Sequence, residues 1–230
     1  MLRIKRAHSQ KLRDEVYALR YRAYRSEGAI DSNSRERFTD TYDEQPNHVL
    51  WALCDHERVV GSIRTTWFDP IEPHLRIPEL DAYSDDVTRI VPDGKRLLSG
   101  NRFVTEPERE RKNSLIVLLL LRHHMIVAQQ RADYALAAVR QNHLSFYRRM
   151  LRLAKISEGR IYPGLASTMY LTACEFAPNI DHVYSSNPIL RPKGYERVLL
   201  DEKYQDIWEV GLPLEESLDD GTIHLGTHYD

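Results

Sequence analysis

The amino-acid sequence predicts an α/β fold in which helices cover a mixed, mostly antiparallel β-sheet. Residues 48–68 form two segments rich in apolar and β-branched residues around a polar turn at Asp55–Glu57, which is typical of a β-hairpin. Residues 95–139 contain a strand pattern, a long apolar helix pattern and a second strand pattern, which is typical of a right-handed crossover between parallel strands. A hairpin and a parallel crossover together indicate a mixed sheet.

Local signals predict the elements that precede the crossover. Ser9 can cap an amphipathic helix that Gly28 is suited to end. The polar segment 31–47 has turn residues and no period, so we expect either a loop folded over something or a mobile connection. Residues 70–94 are rich in proline and are expected to be mostly irregular, with one short helix.

The crossover and the elements after it follow from the same signals. We expect the crossover helix over residues 113–130 and a buried strand over 133–139. A short amphipathic helix is predicted at 142–153, and further strands within 154–164 and 167–176.

The charge distribution suggests how the chain is organised. The first residues are rich in lysine and arginine, whereas acidic residues dominate from Asp201 onward. We expect a core over residues 1–178 and an acidic C-terminal extension over 179–230, packed on the same domain. The basic surface is interpreted as a site for an acidic partner, and the alternative is a set of solvated faces.

Composition argues against several classes of protein. A net charge of −2 argues against a general nucleic-acid binder. The longest uninterrupted apolar run, Leu115–Leu121, is far shorter than the roughly 20 residues that span a bilayer, so no stable membrane insertion is expected. The N-terminus lacks the apolar core of a signal peptide, and Cys54 and Cys174 are expected to be buried, reduced thiols. We therefore expect a soluble, cytoplasmic protein.

No metal site is expected from the sequence. His123 and His124 are adjacent on a predicted helix and point in different directions, whereas a helical zinc pair needs a spacing of four residues. No serine or cysteine nucleophile motif is present either, which favours direct attack by a substrate over an acyl-enzyme.

Four segments carry a resemblance to a known family. "LRYRAYRSEGAI", "DTYDEQPNHVLWALCD", "VVGSIRTT" and "SGNRFV", with the order of the elements, resemble the GNAT acyltransferase superfamily and more closely its autoinducer-synthase branch. That branch makes acyl-homoserine lactones, and its relatives make N-acyl amino acids. The resemblance implies a GNAT-like sheet with a central splayed parallel strand pair. It also implies N-acyl transfer from a fatty acyl thioester.

The resemblance assigns an acceptor site. An arginine followed by an aromatic residue matches Arg20 and Tyr24, two aspartates match Asp40 and Asp43, and the arginine of the second hairpin strand matches Arg64. The aspartates could hold an acceptor amine, and the arginines could bind a carboxylate. The alternative is a structural ion pair, such as Asp43 with Arg64.

The sequence departs from the family pattern at two positions. A tryptophan is replaced by Ile30, and the strand pattern Glu-x-x-Arg-Phe has Ser99 in place of its glutamate. The glutamate is thought to assist amine deprotonation in the family. Its loss argues against homoserine-lactone synthesis but leaves acyl transfer in place.

Around Ser99, strict alternation would put its side chain and that of Arg102 on opposite faces. A β-bulge at Gly100 would bring both to one side, and superfamily members have such a bulge, which frees a backbone N–H for the thioester carbonyl. The backbone at Arg102, Phe103 and Val104 is thus expected to stabilise the oxyanion. The alternative is that Gly100 only relieves crowding.

The segment "EPERERKNS" occupies the place of the family's phosphate loop. Arg109, Arg111, Lys112 and the helix N-terminus at Asn113 could attract phosphate, although the usual glycines are missing. This favours an open site for the phosphopantetheine arm of acidic acyl carrier protein over a tight coenzyme A cradle. A solvated charged loop is the alternative.

Two more segments are assigned to the thioester. "FYRRML" resembles the superfamily motif that places a tyrosine, here Tyr147, as general acid to the departing thiolate. The small side chains of "DYALAAV", such as Ala137, would leave room for an acyl chain. The alternatives are an ordinary amphipathic helix around Tyr147, and alanines that only accommodate a covering helix.

We therefore hypothesise an N-acyltransferase that moves a fatty acyl group from acyl carrier protein or coenzyme A to the amine of an amino-acid-like acceptor. Catalysis would involve Ser99, Arg102, Tyr147 and Asp43, with acyl-ACP or acyl-CoA as co-substrate and no permanently bound cofactor. The alternatives are an acyl-homoserine lactone synthase that uses S-adenosylmethionine, a short-chain GNAT enzyme, and a non-catalytic acyl- or carrier-binding protein.

Overall fold

The sheet and helices have the following bounds in a computed structural model, which describes residues 1–107 and 113–214. The strands are β1 (Leu2–Arg6), β2 (His48–Asp55), β3 (Arg58–Phe68), β4 (Leu97–Thr105), β5 (Tyr134–Val139), β6 (Ala154–Lys155), β7 (Arg160–Ile161), β8 (Thr168–Glu175) and β9 (Leu212–Pro213). The helices are α1 (Gln10–Ser26), α2 (Pro78–Ile90), α3 (Asn113–Arg131), α4 (Leu144–Leu151), α5 (Phe176–Ser186) and α6 (Gln205–Val210).

The strands form one sheet in the order β6-β8-β5-β4-β3-β2-β1-β9, with β7 paired to β8 at the edge. Within the described ranges every strand pair is antiparallel except β4 and β5, which α3 connects as the predicted crossover. This confirms the predicted mixed, mostly antiparallel sheet. The predicted hairpin, β2–β3, is also present.

The parallel pair β4–β5 is splayed, as predicted. The two strands pair only from Leu97 with Tyr134 to Ser99 with Leu136. Beyond Ser99, β4 continues to Thr105 and β5 to Val139 without further pairing between them. The edge of β4 that faces β5 therefore carries backbone groups with no strand partner, next to a gap in the sheet.

The β-bulge lies two residues beyond its predicted position. Ser62 pairs with Val104 and Arg64 with Asn101, so the extra residue of β4 lies at Arg102–Phe103, and Arg102 has φ of 51°. The prediction of a bulge at Gly100 was wrong, because Gly100 pairs regularly with Thr65. A Cβ at Gly100 would lie 3.2 Å from the His124 ring, so this glycine permits close packing against α3.

Each face of the sheet has its own core. The helix α3 is buried against one face, with Leu120 and Ile126 fully inaccessible, in keeping with its apolar sequence. The helices α1 and α2 pack on the opposite face through residues such as Val16 and Tyr83. The two faces of the sheet are thus enclosed by different sets of helices.

Three local predictions need correction. The strand β1 was missed because a short, charged segment gives a weak strand signal. Its residues alternate around the buried Ile4 and pair with β2. The helix α2 is longer than expected, since Pro78 occupies its first turn, where proline is tolerated. In segment 154–164 only the two-residue strands β6 and β7 form.

The described residues beyond 178 pack against the core. The strand β9 pairs with β1, and Glu196 forms a buried ion pair with Arg122 of α3 at 2.6 Å. The division of the chain at residue 178 stays a prediction, and residues 215–230 lie outside the described part. Among the helices that the structure describes, none combines the length and apolar character that a membrane span requires.

Candidate active site

Five charged side chains from four parts of the chain meet on the α1–α2 face of the sheet. Arg20 of α1 donates to both carboxylate oxygens of Asp43, at 3.0 and 2.9 Å, and Arg64 of β3 lies 2.8 Å from the same carboxylate. Arg64 also donates to Asp40, as does Arg102 of β4 at 2.8 Å. We call these five residues the ion-pair cluster. The alternative of an Asp43–Arg64 pair, raised from the sequence, is therefore present.

Electrostatics keep both aspartates of the cluster ionised. Burial alone would raise the pKa of Asp43, but the charges of Arg20 and Arg64 outweigh it and hold that pKa below its usual range. Asp40 likewise has a lowered pKa, because hydrogen bonds and charges from Arg64 and Arg102 exceed the effect of burial. Three arginines against two aspartates leave one positive charge, so the cluster favours an anionic ligand.

Two guanidinium groups of the cluster retain buried donors without a partner among the described residues, Arg20 at its Nε and Nη2 and Arg102 at its Nη1. Nη1 of Arg102 is buried and has no hydrogen-bond partner among the described residues, while its Nε and Nη2 bond to Asp40 and to the carbonyl of Pro163. Tyr24 packs edge-on against Phe38 at 5.1 Å, and the guanidinium of Arg102 lies 4.8 Å from the Phe38 ring. The loop over 31–47 thus covers this part of the site, in agreement with one of the two interpretations of its sequence.

Beside the ion-pair cluster lies a further carboxyl group that was not identified from the sequence. Glu79, in the first turn of α2, is fully buried and accepts a hydrogen bond from the Tyr162 hydroxyl at 2.8 Å. Its Oε2 and the adjacent Ser99 Oγ lack well-formed hydrogen bonds within the described structure. In sequence, an acidic residue after a helix-initiating proline indicates only a favourable interaction with the helix dipole, so no local signal marks Glu79.

An apolar cavity lies on the other face of the sheet. The space that it leaves for a water-sized molecule is about 30 Å³, so the side chains around it lie close together in this structure. Its lining includes Gly100, Ala137, Tyr147, His124, Met125 and Leu151. The structure thus brings together three of the residues that the sequence assigned to the thioester. Small side chains on β5 and the missing side chain at position 100 leave this space open.

The polar groups of the cavity are held in their neutral forms. Burial lowers the pKa of His124 to about 4, and its Nδ1 lies 2.9 Å from Thr65 Oγ1. Burial raises the pKa of Tyr147, so its hydroxyl stays protonated and can donate a hydrogen bond. The cavity therefore offers a neutral, mostly apolar surface with one phenolic donor.

Other predicted thioester residues lie apart from the cavity. Phe103 is half-buried against the core beneath α3, and Val104 is buried in the core on the opposite face. Residues 108–112, which include Arg109, Arg111 and Lys112, lie outside the described part. Asn113 begins α3 as predicted, and nothing is described of its side chain.

The ion-pair cluster and the cavity meet at Ser99 and Gly100, where β4 separates from β5. We call this place the splay. Ser99 is the last residue of β4 that pairs with β5, and Gly100 is the first beyond it. Because strand side chains alternate, Ser99 faces Glu79 while position 100 faces the cavity. An acyl thioester carbonyl at the splay would have its acyl chain on one side of the sheet and a nucleophile on the other.

Comparison with known proteins identifies a matching family. The sequence model of a family described as "N-acyl amino acid synthase FeeM" matches residues 15–175. That range contains the ion-pair cluster, Glu79, Ser99 and Tyr147. Among curated protein sequences, none matches this chain.

Several solved structures share the fold. FeeM, an N-acyl amino acid synthase from uncultured soil microbes, has a TM-score of 0.60 at 16% identity, over 77% of this chain and 92% of that chain. TofI, in complex with an inhibitor and MTA, has a TM-score of 0.60 at 12% identity, over 86% and 99%. The CoA-dependent acyl-homoserine lactone synthase BjaI has 0.58 at 15% identity, over 84% and 90%. At these identities the likeness concerns the fold.

The buried pair in the cluster makes a testable prediction about stability. Replacing Asp43 with asparagine leaves Arg20 buried without its counterion, and we expect the free energy of unfolding to fall by about 3–5 kcal/mol. Urea denaturation at pH 7 would measure this change. Because the pKa of Asp43 is lowered in the folded state, the difference from the unsubstituted protein should shrink as the pH falls below about 4.

The matched control for this measurement is Asp201→Asn, which removes an exposed carboxylate paired with Lys203. Its unfolding midpoint should not change. Equal midpoints for the two variants would show that the cluster does not stabilise the fold.

Proposed function

The chain belongs to the FeeM family of N-acyl amino acid synthases, and from this premise we propose that it transfers a fatty acyl group from acyl carrier protein to the amine of an amino acid. The observation that carries the proposal is the meeting of an apolar cavity and a cationic cluster at one break in the sheet. As an N-acyltransferase, it must bring an apolar chain and a polar amine to the same carbonyl carbon.

The cavity suits the acyl chain. Apolar side chains from α3, β5 and α5 surround it, including Met125, Ala137 and Ile180. Each buried methylene group contributes about 0.8 kcal/mol, so an acyl chain that moves these side chains apart gains affinity with every carbon that it buries. Gly100 extends this space to the point where β4 and β5 separate.

The ion-pair cluster suits the acceptor. Its excess positive charge and the free Nη1 of Arg102 match the carboxylate of an amino acid. Both aspartates already have arginine partners, so they orient the guanidinium groups. S-adenosylmethionine also has a carboxylate, but the replacement of the family tryptophan by Ile30 favours a simpler amino acid.

Exposed basic residues near the cavity support acyl carrier protein as the donor. Arg148 and Arg149 follow Tyr147 on α4 and are exposed, as are Arg152 and Lys155 just beyond the helix. Acyl carrier protein is acidic, and opposite charges favour its docking with the thioester pointing into the cavity. Coenzyme A would present its phosphates to the same surface.

The acyl transfer would use groups on both faces of the sheet. The neutral amine attacks the thioester carbonyl at the splay, and unpaired backbone N–H groups of β4 near Arg102 stabilise the oxyanion. The carbon–sulfur bond then breaks, and the Tyr147 hydroxyl donates a hydrogen bond to the departing thiolate. No acyl-enzyme is required, because the amine itself is the nucleophile.

The proposal is tested with defined substrates. Purified protein should release free thiol from a long-chain acyl carrier protein only when an amino acid is present, and mass spectrometry should identify the N-acyl amino acid. Acyl-CoA of the same chain length should react more slowly. Saturable binding without thiol release would instead indicate a non-catalytic acyl-binding protein, and an acyl-homoserine lactone formed from S-adenosylmethionine would identify the autoinducer reaction.

The cavity predicts chain-length selectivity. Ala137→Leu would fill space in the cavity, so the preferred acyl chain should become shorter, with kcat/KM falling about fourfold for each methylene group that is excluded. Competition among acyl thioesters of graded length would measure this shift. Ala138→Leu is the matched control, because Ala138 packs on the other face of β5. The chain-length preference of this variant should match that of the unsubstituted protein.

The role of Tyr147 is tested with thioesters whose departing thiols differ in acidity. Tyr147→Phe should lower kcat by about 10²-fold, because the departing thiolate loses its hydrogen-bond donor. The loss should be smaller with a thioester of a more acidic thiol, which leaves without such help. Tyr170→Phe, on β8 outside the cavity lining, serves as the control. An unchanged rate in Tyr147→Phe would remove this residue as the donor.

A further inference from the structure

Glu79 differs from the other fully buried glutamate that the structure describes on this scaffold. Glu196 has both carboxylate oxygens occupied, one by Arg122 at 2.6 Å and one by the backbone N–H of Lys193 at 2.8 Å. Glu79 is equally inaccessible, but only its Oε1 accepts a well-formed hydrogen bond among the described residues, from the Tyr162 hydroxyl. The Ser99 hydroxyl lies beside this carboxyl group.

The surroundings of Glu79 raise the affinity of its carboxylate for a proton. Burial raises its pKa, and the hydroxyls of Tyr162 and Ser99 and the charge of Arg64 offset this only in part. The other titratable groups that face it are Tyr42 and Tyr83, which are neutral near pH 7. A carboxylate in such a place has a high affinity for a proton, which is the property of a base that works near neutral pH.

A purely structural role does not explain this arrangement. A buried carboxylate without a cationic partner destabilises a fold, whereas a glutamine of the same shape would satisfy Tyr162 without this cost. The uncompensated group lies beside Ser99, at the point where β4 and β5 separate. Glu79 is thus held at the place where the acceptor nitrogen must approach the thioester carbon.

We propose that Glu79 is the general base of the acyl transfer and takes a proton from the acceptor ammonium, with the Ser99 hydroxyl beside it as a hydrogen-bond partner of the amine. This inference rests on the proposed function. It assigns to α2 a carboxylate function that the β4 sequence, with serine at position 99, does not supply.

The proton balance of the reaction is simple. The bound acceptor is an ammonium ion, and one of its protons moves to the Glu79 carboxylate, which frees the nitrogen lone pair. The nitrogen then forms the new bond to the carbonyl carbon and the carbon–sulfur bond breaks. The second proton of the nitrogen ends on the departing sulfur, giving a thiol and an amide. Glu79 finally releases its proton to solvent.

The test is Glu79→Gln, assayed by thiol release from acyl carrier protein in the presence of an amino acid. We expect kcat near pH 7 to fall about 10²–10⁴-fold, with little change in KM for the acyl thioester. The activity that remains should rise about tenfold per pH unit while ammonium still predominates, since solution then supplies the free amine. In the unsubstituted protein, kcat should instead rise with pH through an acidic limb that lies above the ordinary pKa of glutamate, and then reach a plateau.

The control is Asp85→Asn, which removes an exposed carboxylate from the same helix, where it accepts a hydrogen bond from the adjacent Ser84. Its rate and pH profile should match those of the unsubstituted protein. A second variant, Tyr162→Phe, keeps the carboxyl group in place and removes its hydrogen-bond donor. Because that hydrogen bond lowers the pKa of Glu79, its loss should move the acidic limb to higher pH.

Each outcome decides the matter. An unchanged kcat in Glu79→Gln, or a folded and inactive variant whose activity does not rise with pH, overturns the role of base. If Glu79→Gln fails to fold, the test is Tyr162→Phe. An acidic limb at the same pH as in the unsubstituted protein then overturns the role of base. Thiol release by the unsubstituted protein that does not depend on amine contradicts the proposed function itself, which separates the two failures.

Discussion

The ion pairs that Asp40 and Asp43 form with Arg20, Arg64 and Arg102 join four parts of the chain that are distant in sequence. They link α1, the loop over 31–47, β3 and the bulged part of β4. Removing these charges from water is costly, and only the dense pairing of each carboxylate with two guanidinium groups offsets that cost. The two aspartates are therefore the critical members, since loss of Asp43 leaves Arg20 and loss of Asp40 leaves Arg102 buried without its counterion.

The bulge of β4 depends on the same interaction. Arg102 adopts φ of 51°, a left-handed conformation that costs a non-glycine residue about 1–3 kcal/mol. Its ion pair with Asp40 compensates this strain and holds the guanidinium on the α1–α2 face. The pairing of β4 with β3 is regular up to Asn101 and irregular beyond it. Gly100 and Arg102, two residues apart, therefore lie in different environments. One is an apolar cavity for a chain, and the other is a charged site for a polar acceptor.

Under the proposed role of Glu79, the carboxyl group of this site comes from α2 and not from β4. The strand position that carries a glutamate in the resembled pattern is occupied by serine, yet a carboxyl group faces that serine from α2. A reaction depends on where a carboxylate lies in space. Its place along the chain is immaterial, provided that the packing of α2 against the sheet, through Tyr83 and Leu80, holds it in position.

The sequence by itself determined the order of the main elements from α1 to β8, the hairpin, the parallel crossover and, through a few motifs, the arginines and aspartates of the cluster. These features depend on local periodicity, capping and spacing. Tertiary structure alone decided that the bulge lies at Arg102, that both aspartates are occupied by arginines and that Glu79 faces Ser99. Those outcomes depend on strand register and on the packing of helices against the sheet, which bring together residues from distant positions. No local pattern records such contacts, because burial and pairing are properties of the assembled fold.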